Sequence, residues 1–461
     1  MSDTEAIMWA VEKDPALRSD FCNLTILEHV PDDERMQHTL ARAVAAIPRL
    51  RQRVVSAPLR IVPPAFADDP TLDLNAHVRR VALPGNDSDS ERALLDLCGS
   101  LAEQPLDRAR PLWEFTLIEG LSGGRCALLQ KVHHTITDGV GGLRLSLAFV
   151  DFEPDEPTAP TPTIVTGPID ETDRGHGTTL QATRTAVVDA TARGMGMARR
   201  VVGDGAHVVT HPLELPGRAT DTARLVSSLR RQLFSTEPAH SDVLTGRSLS
   251  RHFETHTVSL HAVQAAARKL GGSVNDVYIT GLAGALGRYH ERYGSSVETL
   301  RLAIPISTRN RHDDAANRFV PARLVVPIQP DDEPTILFER VRAQLAAAKN
   351  ETAIGAAEGL AVVLTPLPTA FLVAMTRAQA RTTDFAATNL RGSPVPLYIA
   401  GARVLANYPF GPRTNTALNA TLLSYCDDLN LGINIDPAAV TDPAALMTDI
   451  SDSFAALFEI S

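Results

Sequence analysis

Cysteine is scarce in this chain, with four among 461 residues. Cys22, Cys98, Cys126 and Cys426 lie far apart, and none of them has the short paired spacing of a zinc knuckle or a disulfide-rich domain. We therefore expect neither a disulfide framework nor a cysteine-based zinc site. Free thiols are typical of a reducing compartment, so this pattern favours the cytoplasm.

Positive charge is also limited. Lysine and arginine number 44 against 54 aspartates and glutamates, which gives a formal net charge of -10, and four of the basic residues are lysines. No dense basic run or basic stripe with interleaved aromatic residues occurs, which argues against a nucleic-acid-binding surface. An acidic chain can still hold an anionic ligand in a local basic groove.

Long apolar runs are missing as well. The most apolar stretch, 359–376, is interrupted by Pro366 and Pro368, so it leaves no continuous span of the roughly 20 residues that cross a bilayer. It instead predicts a buried helix or the lining of an apolar tunnel. The amino-terminal stretch 1–14 lacks the basic and apolar regions of a secretory signal, so we do not expect export.

The size and the patterning predict a mixed α/β protein with two lobes. A chain of this length usually exceeds one core, and 44% hydrophobic with 21% charged residues is ordinary globular composition. We expect an N-terminal lobe over 1–151 and a C-terminal lobe over 241–461. Between them, 152–240 begins with an exposed linker rich in proline, threonine and acidic residues.

Helical and strand patterns alternate in both halves of the chain. Apolar residues at helical spacing behind an acidic start predict a helix over 32–47, which Pro48 stops. In the first half we also predict a buried strand over 125–134 and a helix over 139–152. In the second half the predicted helices are 261–270, 273–293 and 335–349, and the predicted strands are 300–307, 322–328, 397–405 and 418–425.

Amphipathic segments between 179 and 235 carry arginines on one side. They leave two interpretations open, helices packed on the body of the protein or helices that contact a membrane surface. The expected localisation is therefore cytoplasmic, with peripheral contact at the inner membrane or at lipid inclusions as an alternative.

The stretch KVHHTITDG, 131–139, is the main candidate for chemistry because it follows the predicted buried strand. Adjacent residues of a strand point to opposite faces, so His133 and His134 are poorly placed to bind one metal ion. The same alternation lets one histidine face a cavity while the other packs. The second histidine pair, in HFETH at 252–256, lacks the spacing of a zinc-protease motif and lies in a strand-like alternation.

A single histidine base is the simplest chemistry for this motif. A neutral imidazole can take the proton of a hydroxyl whose oxygen attacks a carbonyl. The chain has no Gly-x-Ser-x-Gly elbow and no cysteine beside a histidine, so a covalent acyl-enzyme has no visible nucleophile. Asp138 would cap the next helix or pin an arginine, and Gly139 would permit a tight turn.

Several blocks in order along the chain resemble the bacterial wax ester synthase/diacylglycerol acyltransferase family. They are the Pro-Leu-Trp block and the His-His-x-x-x-Asp-Gly motif within 105–145, the Asn-Asp block within 270–289, and the closing strands within 395–436. The histidine motif alone is shared with the wider acyl-CoA-dependent acyltransferase superfamily, including peptide-synthetase condensation domains. The resemblance covers nearly the whole chain.

The resemblance implies a fold similar to chloramphenicol acetyltransferase, with two lobes and a central channel between them. It implies that His134 is the general base, that His133 supports the site or the oxyanion, and that Asp138 and Gly139 form the structural end of the motif. Long-chain acyl-CoA would be the donor and diacylglycerol or a fatty alcohol the acceptor. No cofactor is implied besides the acyl-CoA co-substrate.

The remaining matched residues have structural interpretations beside the functional one. Asn275 and Asp276 match the block that supports the family's active site, but Ser273 and Asp276 also have the spacing of a helix capping box. The Pro-Leu-Trp block favours structure, a proline turn and an aromatic anchor for a strand. Its residues are Pro111, Leu112 and Trp113.

Two departures from the family pattern leave the acceptor and full activity open. Glu5 stands near the position of a family aspartate, and 388–398 lacks the usual Val-Pro-Gly-Pro run. Besides the acyltransferase, two other functions therefore stay open. One is a relative that acts on a polar or carrier-bound acceptor, and the other is a protein that binds acyl-CoA or lipid without transfer.

Overall fold

A computed structural model describes residues 1–56, 64–84, 90–136, 147–155, 238–307, 319–330, 332–349 and 368–460. Several predictions fall outside these residues. They concern Asp138, Gly139, most of the predicted helix 139–152, most of the linker, and the amphipathic segments between 179 and 235.

The described helices and strands alternate as the sequence pattern predicted. The helices are α1 Asp3–Val11, α2 Asp33–Ala46, α3 Ser90–Glu103, α4 Leu260–Lys269, α5 Val274–Arg292, α6 Pro334–Lys349, α7 Thr369–Ala380 and α8 Pro443–Glu459. The first strands are β1 Asp20–Leu27, β2 Gln52–Val55, β3 Ala65–Asp68, β4 Val78–Ala82, β5 Trp113–Glu119, β6 Cys126–His133 and β7 His252–Ser259. The later strands are β8 Thr299–Ser307, β9 Phe319–Pro327, β10 Phe385–Arg391, β11 Tyr398–Ile399, β12 Ala402–Phe410, β13 Leu418–Tyr425 and β14 Asp428–Ile435.

Helix α2 shows how local sequence sets an element. The Asp32 side chain accepts a hydrogen bond from the Arg35 backbone N–H and so caps the first turn. The buried residues Met36, Leu40 and Val44 recur on one face. The helix ends where Pro48 follows, as predicted for 32–47.

The first lobe is built on a six-stranded sheet with the order β11-β12-β1-β6-β5-β4. Strand β1 lies antiparallel to β6 with Asp20 opposite His133, and antiparallel to β12 with Cys22 opposite Phe410. Strands β11 and β12 come from the far end of the chain. The C-terminal part of the sequence therefore completes the sheet that carries the histidine motif.

The strand predicted over 397–405 is two strands. A turn at Ala400 and Gly401, both with positive φ (48° and 84°), separates β11 from β12 and folds them into a hairpin. Glycine adopts such a conformation readily, so Gly401 permits the reversal. The apolar pattern continues through the turn, which is why it predicted one strand.

The second lobe is built on another six-stranded sheet, with the order β7-β14-β13-β10-β8-β9. Helices α4, α5, α6 and α8 join its apolar core. The Tyr278 hydroxyl of α5 donates to the Ala420 carbonyl of β13, 2.9 Å away, and so ties the helix to the sheet. The mixed α/β fold with two sheet-rich lobes is confirmed.

The apolar stretch 359–376 does not end in a buried helix. In its described part, α7 starts after Pro368 and packs Leu372 against Leu17 of the amino-terminal segment. The other face is open, and Phe371 is 50% exposed. Within the described ranges, no helix is both long and apolar enough to span a membrane.

Candidate active site

Strand β6 ends at the two histidines, since His133 is its last residue and His134 follows it. Seven of its eight residues are buried, which fixes its register between β1 and β5. The chain then turns sharply in a 3₁₀ turn over His134–Ile136. The His134 backbone N–H donates to the Ser19 carbonyl just before β1, over 3.2 Å.

His133 is locked by hydrogen bonds at both ring nitrogens. The Thr135 backbone N–H donates to His133 Nδ1 over 3.1 Å, so this nitrogen carries the lone pair. The proton is therefore on Nε2, which lies 2.6 Å from Glu12 Oε1. With both nitrogens engaged and the residue 3% exposed, His133 supports the turn and has no free N–H for an oxyanion.

A second anchor holds the turn from the other side. Arg49 Nη1 donates to the Thr135 carbonyl over 2.7 Å and to Glu5 Oε1 over 3.1 Å. The guanidinium also lies over the Phe66 ring, 3.8 Å from its centroid. Glu5, noted in the sequence near a family aspartate, thus acts on the histidine turn through Arg49.

His134 begins this turn and is half-buried. Its ring centroid is 5.0 Å from that of Phe21. The pKa of His134 is lowered to about 4, mainly by burial and also by the neighbouring His133 side chain, while the carboxylates of Glu12 and Asp20 act in the opposite direction. The imidazole is therefore neutral near pH 7 and can accept a proton.

The four cysteines offer no competing nucleophile. Burial raises the pKa of Cys22 and of Cys126 to about 12, and it also raises the pKa of Cys98 and of Cys426. The thiolate is the reactive form of cysteine, and all four thiols stay protonated at neutral pH.

The Asn-Asp block begins α5. The Ser273 backbone N–H donates to Asp276 Oδ2 over 2.8 Å and the Asp276 N–H donates to Ser273 Oγ over 3.3 Å, which is the predicted capping box. Asn275 Oδ1 accepts a long hydrogen bond of 3.4 Å from Asn389 Nδ2. This bond links the block to the 388–398 stretch that departs from the family pattern, and it does not involve the histidine turn.

The Pro-Leu-Trp block is a structural anchor for β5. Trp113 is fully buried, its indole N–H donates to the Leu50 carbonyl over 2.8 Å, and its ring stacks on His77 at 4.4 Å. The Leu112 carbonyl accepts the His133 backbone N–H over 3.0 Å, and Trp113 N–H donates to the Pro111 carbonyl over 2.9 Å. The block therefore fixes the strand end that carries the motif.

Sequence reasoning missed Glu12, Arg49 and Asp20. None of them belongs to a recognisable motif, and each reaches the histidine turn or the strand end before it from a distant part of the chain. A carboxylate near the amino terminus is an ordinary surface feature in a sequence, so no pattern singled it out.

Metal-ligand geometry is not seen in the part of the chain that the structure describes, where no group of three or more His, Cys, Asp or Glu side chains converges. The HFETH segment lies on strand β7, as its alternation predicted. His252 Nε2 lies 2.6 Å from Glu254 Oε1, and the His256 ring lies 6.1 Å from that of Phe454.

Comparison with known families gives two matches that together span most of the chain. Residues 1–278 match the wax ester synthase/diacylglycerol acyltransferase catalytic domain, and residues 315–458 match the C-terminal domain of the same family.

Two relatives from Mycobacterium tuberculosis align over almost the full length. One, provisionally named a diacylglycerol O-acyltransferase, is 34% identical over 445 residues, which cover 95% of this chain and 88% of the relative. The other, a probable diacylglycerol O-acyltransferase, is 30% identical over 448 residues, 94% of this chain and 89% of the relative.

Two solved structures share the fold. The wax ester synthase/diacylglycerol acyltransferase from Marinobacter aquaeolei VT8 has a TM-score of 0.61 at 22% identity and covers 95% of this chain and 94% of that one. The starter condensation domain of rhizomide synthetase, in complex with C8-CoA, has a TM-score of 0.56 at 15% identity over 99% of this chain and 93% of that one.

Proposed function

The chain belongs to the wax ester synthase/diacylglycerol acyltransferase family and is an acyltransferase, and we propose that it moves a long-chain fatty acyl group from acyl-CoA to a hydroxyl. The acceptor is diacylglycerol, which gives triacylglycerol, or a fatty alcohol, which gives a wax ester. The names of the relatives support diacylglycerol as the first acceptor to test. The reaction needs no cofactor besides the acyl-CoA co-substrate.

The observation that carries the proposal is the state of His134. Its imidazole is neutral at physiological pH, half-buried and held at the end of a rigid strand by the anchored turn. A general base needs a neutral imidazole at the working pH and a fixed position. The ring nitrogens of His133 bond Glu12 and Thr135.

The chemistry is a direct transfer. His134 takes the proton of the acceptor hydroxyl as its oxygen forms a bond to the thioester carbonyl carbon. The tetrahedral intermediate then expels the CoA sulfur as the C–S bond breaks, and the imidazolium returns the proton to that sulfur. The protonated state of all four cysteine thiols supports a route without an acyl-enzyme.

A cytoplasmic enzyme with this substrate pair meets water-soluble acyl-CoA and a water-insoluble acceptor. We propose that it works at a lipid surface, at the inner membrane or at lipid inclusions. The open face of α7 supports this, since Ala370, Phe371, Ala374 and Ala378 are all exposed there. An exposed apolar patch of this kind is a candidate for contact with lipid.

The test is an assay of the purified protein with radiolabelled palmitoyl-CoA and either diacylglycerol or hexadecanol, with products separated by chromatography. We expect labelled triacylglycerol or wax ester from the wild type and loss of product in His134→Ala. His261→Ala, an exposed histidine on α4, is the matched control and should keep activity.

Absence of product with both acceptors, from folded wild-type protein, would overturn the proposed substrates. Product that persists in His134→Ala would overturn the assigned base. Activity that appears only with a carrier-bound acceptor would point to the chemistry of condensation domains.

A further inference from the structure

A buried ion pair joins the two lobes beside the histidine turn. Arg251 Nη2, from the residue before β7 of the second lobe, lies 3.1 Å from Asp20 Oδ2, at the start of β1 of the first lobe. The two side chains are 8% and 5% exposed. Charged pairs are seldom buried this completely without a specific reason, because their desolvation is costly.

The pair lies directly opposite the motif in the sheet. Asp20 is the cross-strand partner of His133, and Ser19, the residue before it, accepts the His134 backbone N–H. Residues that face each other across two strands have their side chains on the same side of the sheet. Asp20 therefore lies directly beside the strand end that His134 follows.

Helix α3 of the first lobe contacts the backbone of Arg251. The Arg251 backbone N–H donates to Glu103 Oε1 over 2.7 Å at the end of α3. Gly99 of α3 passes so close that a Cβ there would lie 2.7 Å from the Arg251 carbonyl oxygen. Arg251, which precedes β7 of the second lobe, thus contacts the first lobe both through its side chain and through its backbone.

From these contacts we propose that Asp20 and Arg251 are positioning residues. Their ion pair makes the position of His134 depend on how the two lobes pack against each other. This inference rests on the proposed role of His134 as the base. The groups that act electrostatically on His134 are His133, Glu12 and Asp20, and Asp20 is the one of these with an ion pair to the other lobe. Loss of the pair leaves the base in the site but less well aligned with the acceptor hydroxyl.

A second ion pair across the seam, meaning the interface between the two lobes, provides a matched control. Arg92 Nη1 of α3 lies 2.7 Å from Glu254 Oε1 of β7, and Arg92 Nη2 donates to the Phe253 carbonyl over 2.9 Å. This pair also joins the lobes, but it has no cross-strand contact with the histidines. A change that acts only by loosening the lobes should affect both pairs alike.

The test compares Asp20→Asn, Arg251→Gln and Glu254→Gln in the acyl-transfer assay, with Arg251→Lys as the conservative variant. We expect Asp20→Asn and Arg251→Gln to lower kcat about tenfold, since small displacements of a catalytic group cost this much or more. KM for acyl-CoA should change little, and Arg251→Lys should recover part of kcat. Glu254→Gln should keep kcat near that of the wild type.

A second measurement asks whether the pair acts through His134. In the His134→Ala background, Asp20→Asn should leave the residual rate unchanged, because the group that it positions is gone. An equal loss of rate in both backgrounds, or an equal loss in Glu254→Gln, would overturn the inference.

A third readout does not depend on acyl transfer, so that failure of the proposed function and failure of this inference can be told apart. Histidine-selective NMR, with the His134 signal assigned by its absence in His134→Ala, should show that signal shifted or broadened in Arg251→Lys and Asp20→Asn but not in Glu254→Gln. An unshifted signal in folded Asp20→Asn would contradict the pair's role even if the wild type is inactive on every acceptor.

Discussion

Glu12 Oε1 accepts the Nε2 proton of His133 over 2.6 Å and also the Ser19 backbone N–H over 2.8 Å. One carboxylate oxygen thus ties together the end of α1, the start of β1 and the histidine turn. The contact between Glu12 and His133 could not be predicted from the sequence, because the two residues are 121 positions apart.

Replacement of Glu12 by alanine should weaken both folding and activity. It leaves the buried His133 N–H and the Ser19 N–H without their acceptor, and a buried unsatisfied donor costs about 1–3 kcal/mol. We expect a fall of this size in the free energy of unfolding, measured with urea, and a lower kcat. Glu12→Gln keeps an acceptor oxygen and should lie between alanine and wild type. An alanine variant with unchanged stability would contradict this assignment.

Activity should depend on pH through His134. The proposed role of His134 as the base requires a neutral imidazole, so kcat/KM should stay level from about pH 8 down to about pH 5 and fall as the pH approaches the pKa of about 4. An inflection near 6.5, the ordinary value for histidine, would show that the imidazole is better solvated than its surroundings in the structure imply.

Stability should have a related pH dependence. The pKa of His134 is lower in the folded protein than in the unfolded chain, so the unfolded state binds the proton more readily. His134 therefore lowers the free energy of unfolding as the pH falls from about 6.5 towards 4. The measurement is urea unfolding of wild type and His134→Ala across this range, and the variant should show the shallower slope.

Trp113 should be important for stability. Trp113→Ala removes a fully buried ring, its stacking on His77 and its hydrogen bond to Leu50. Losses of this kind cost about 3–5 kcal/mol. Phe371→Ala, at the half-exposed aromatic ring of α7, is the control and should change the free energy of unfolding by less than about 0.5 kcal/mol. Similar values for the two variants would argue against the anchoring role.

Gly99→Ala should disturb the seam between the lobes without a change of charge. Its Cβ would lie 2.7 Å from the Arg251 carbonyl oxygen, so the backbone must move. Overpacking of this type costs about 1–3 kcal/mol, and we expect kcat to fall with it. Gly123, between Ser122 and Gly124, is a contrasting position. A Cβ there would meet nothing within 4 Å, but its φ of 73° would strain the backbone of any residue other than glycine. Full activity in Gly99→Ala would indicate that the seam tolerates a shift.

The capping box should contribute more to the free energy of unfolding than the Asn275–Asn389 hydrogen bond. Ser273→Ala removes the N-cap of the long buried helix α5, which costs about 0.5–2 kcal/mol. Asn389→Ala removes an exposed bond of 3.4 Å and should cost less than about 0.5 kcal/mol. Thermal unfolding of both variants gives the comparison, and an equal effect would assign Asn389 a larger structural role.

Much of the local structure followed from neighbouring residues. The acidic cap and Pro48 define α2, the continuous apolar run defines β6, and Ser273 with Asp276 begins α5. The sequence predicted His133 and His134 on a strand-to-helix connection, and in the described residues they lie at the end of β6 and the start of a 3₁₀ turn. The hairpin at Ala400 was missed because its apolar pattern runs through the turn, and α7 was expected to be buried because its composition does not reveal which side faces solvent.

The mixed α/β fold, the family and the two histidines could be predicted from the sequence, because they depend on periodicity, caps and short motifs within a few residues of one another. The different surroundings of the two histidines are visible only in the tertiary structure. His133 is fixed as a donor to Glu12, His134 keeps a neutral half-buried ring, and Arg251 reaches Asp20 from the other lobe. These relations arise where distant segments are brought together by the folded sheet, and hydrogen bonding and desolvation act only at such short distances.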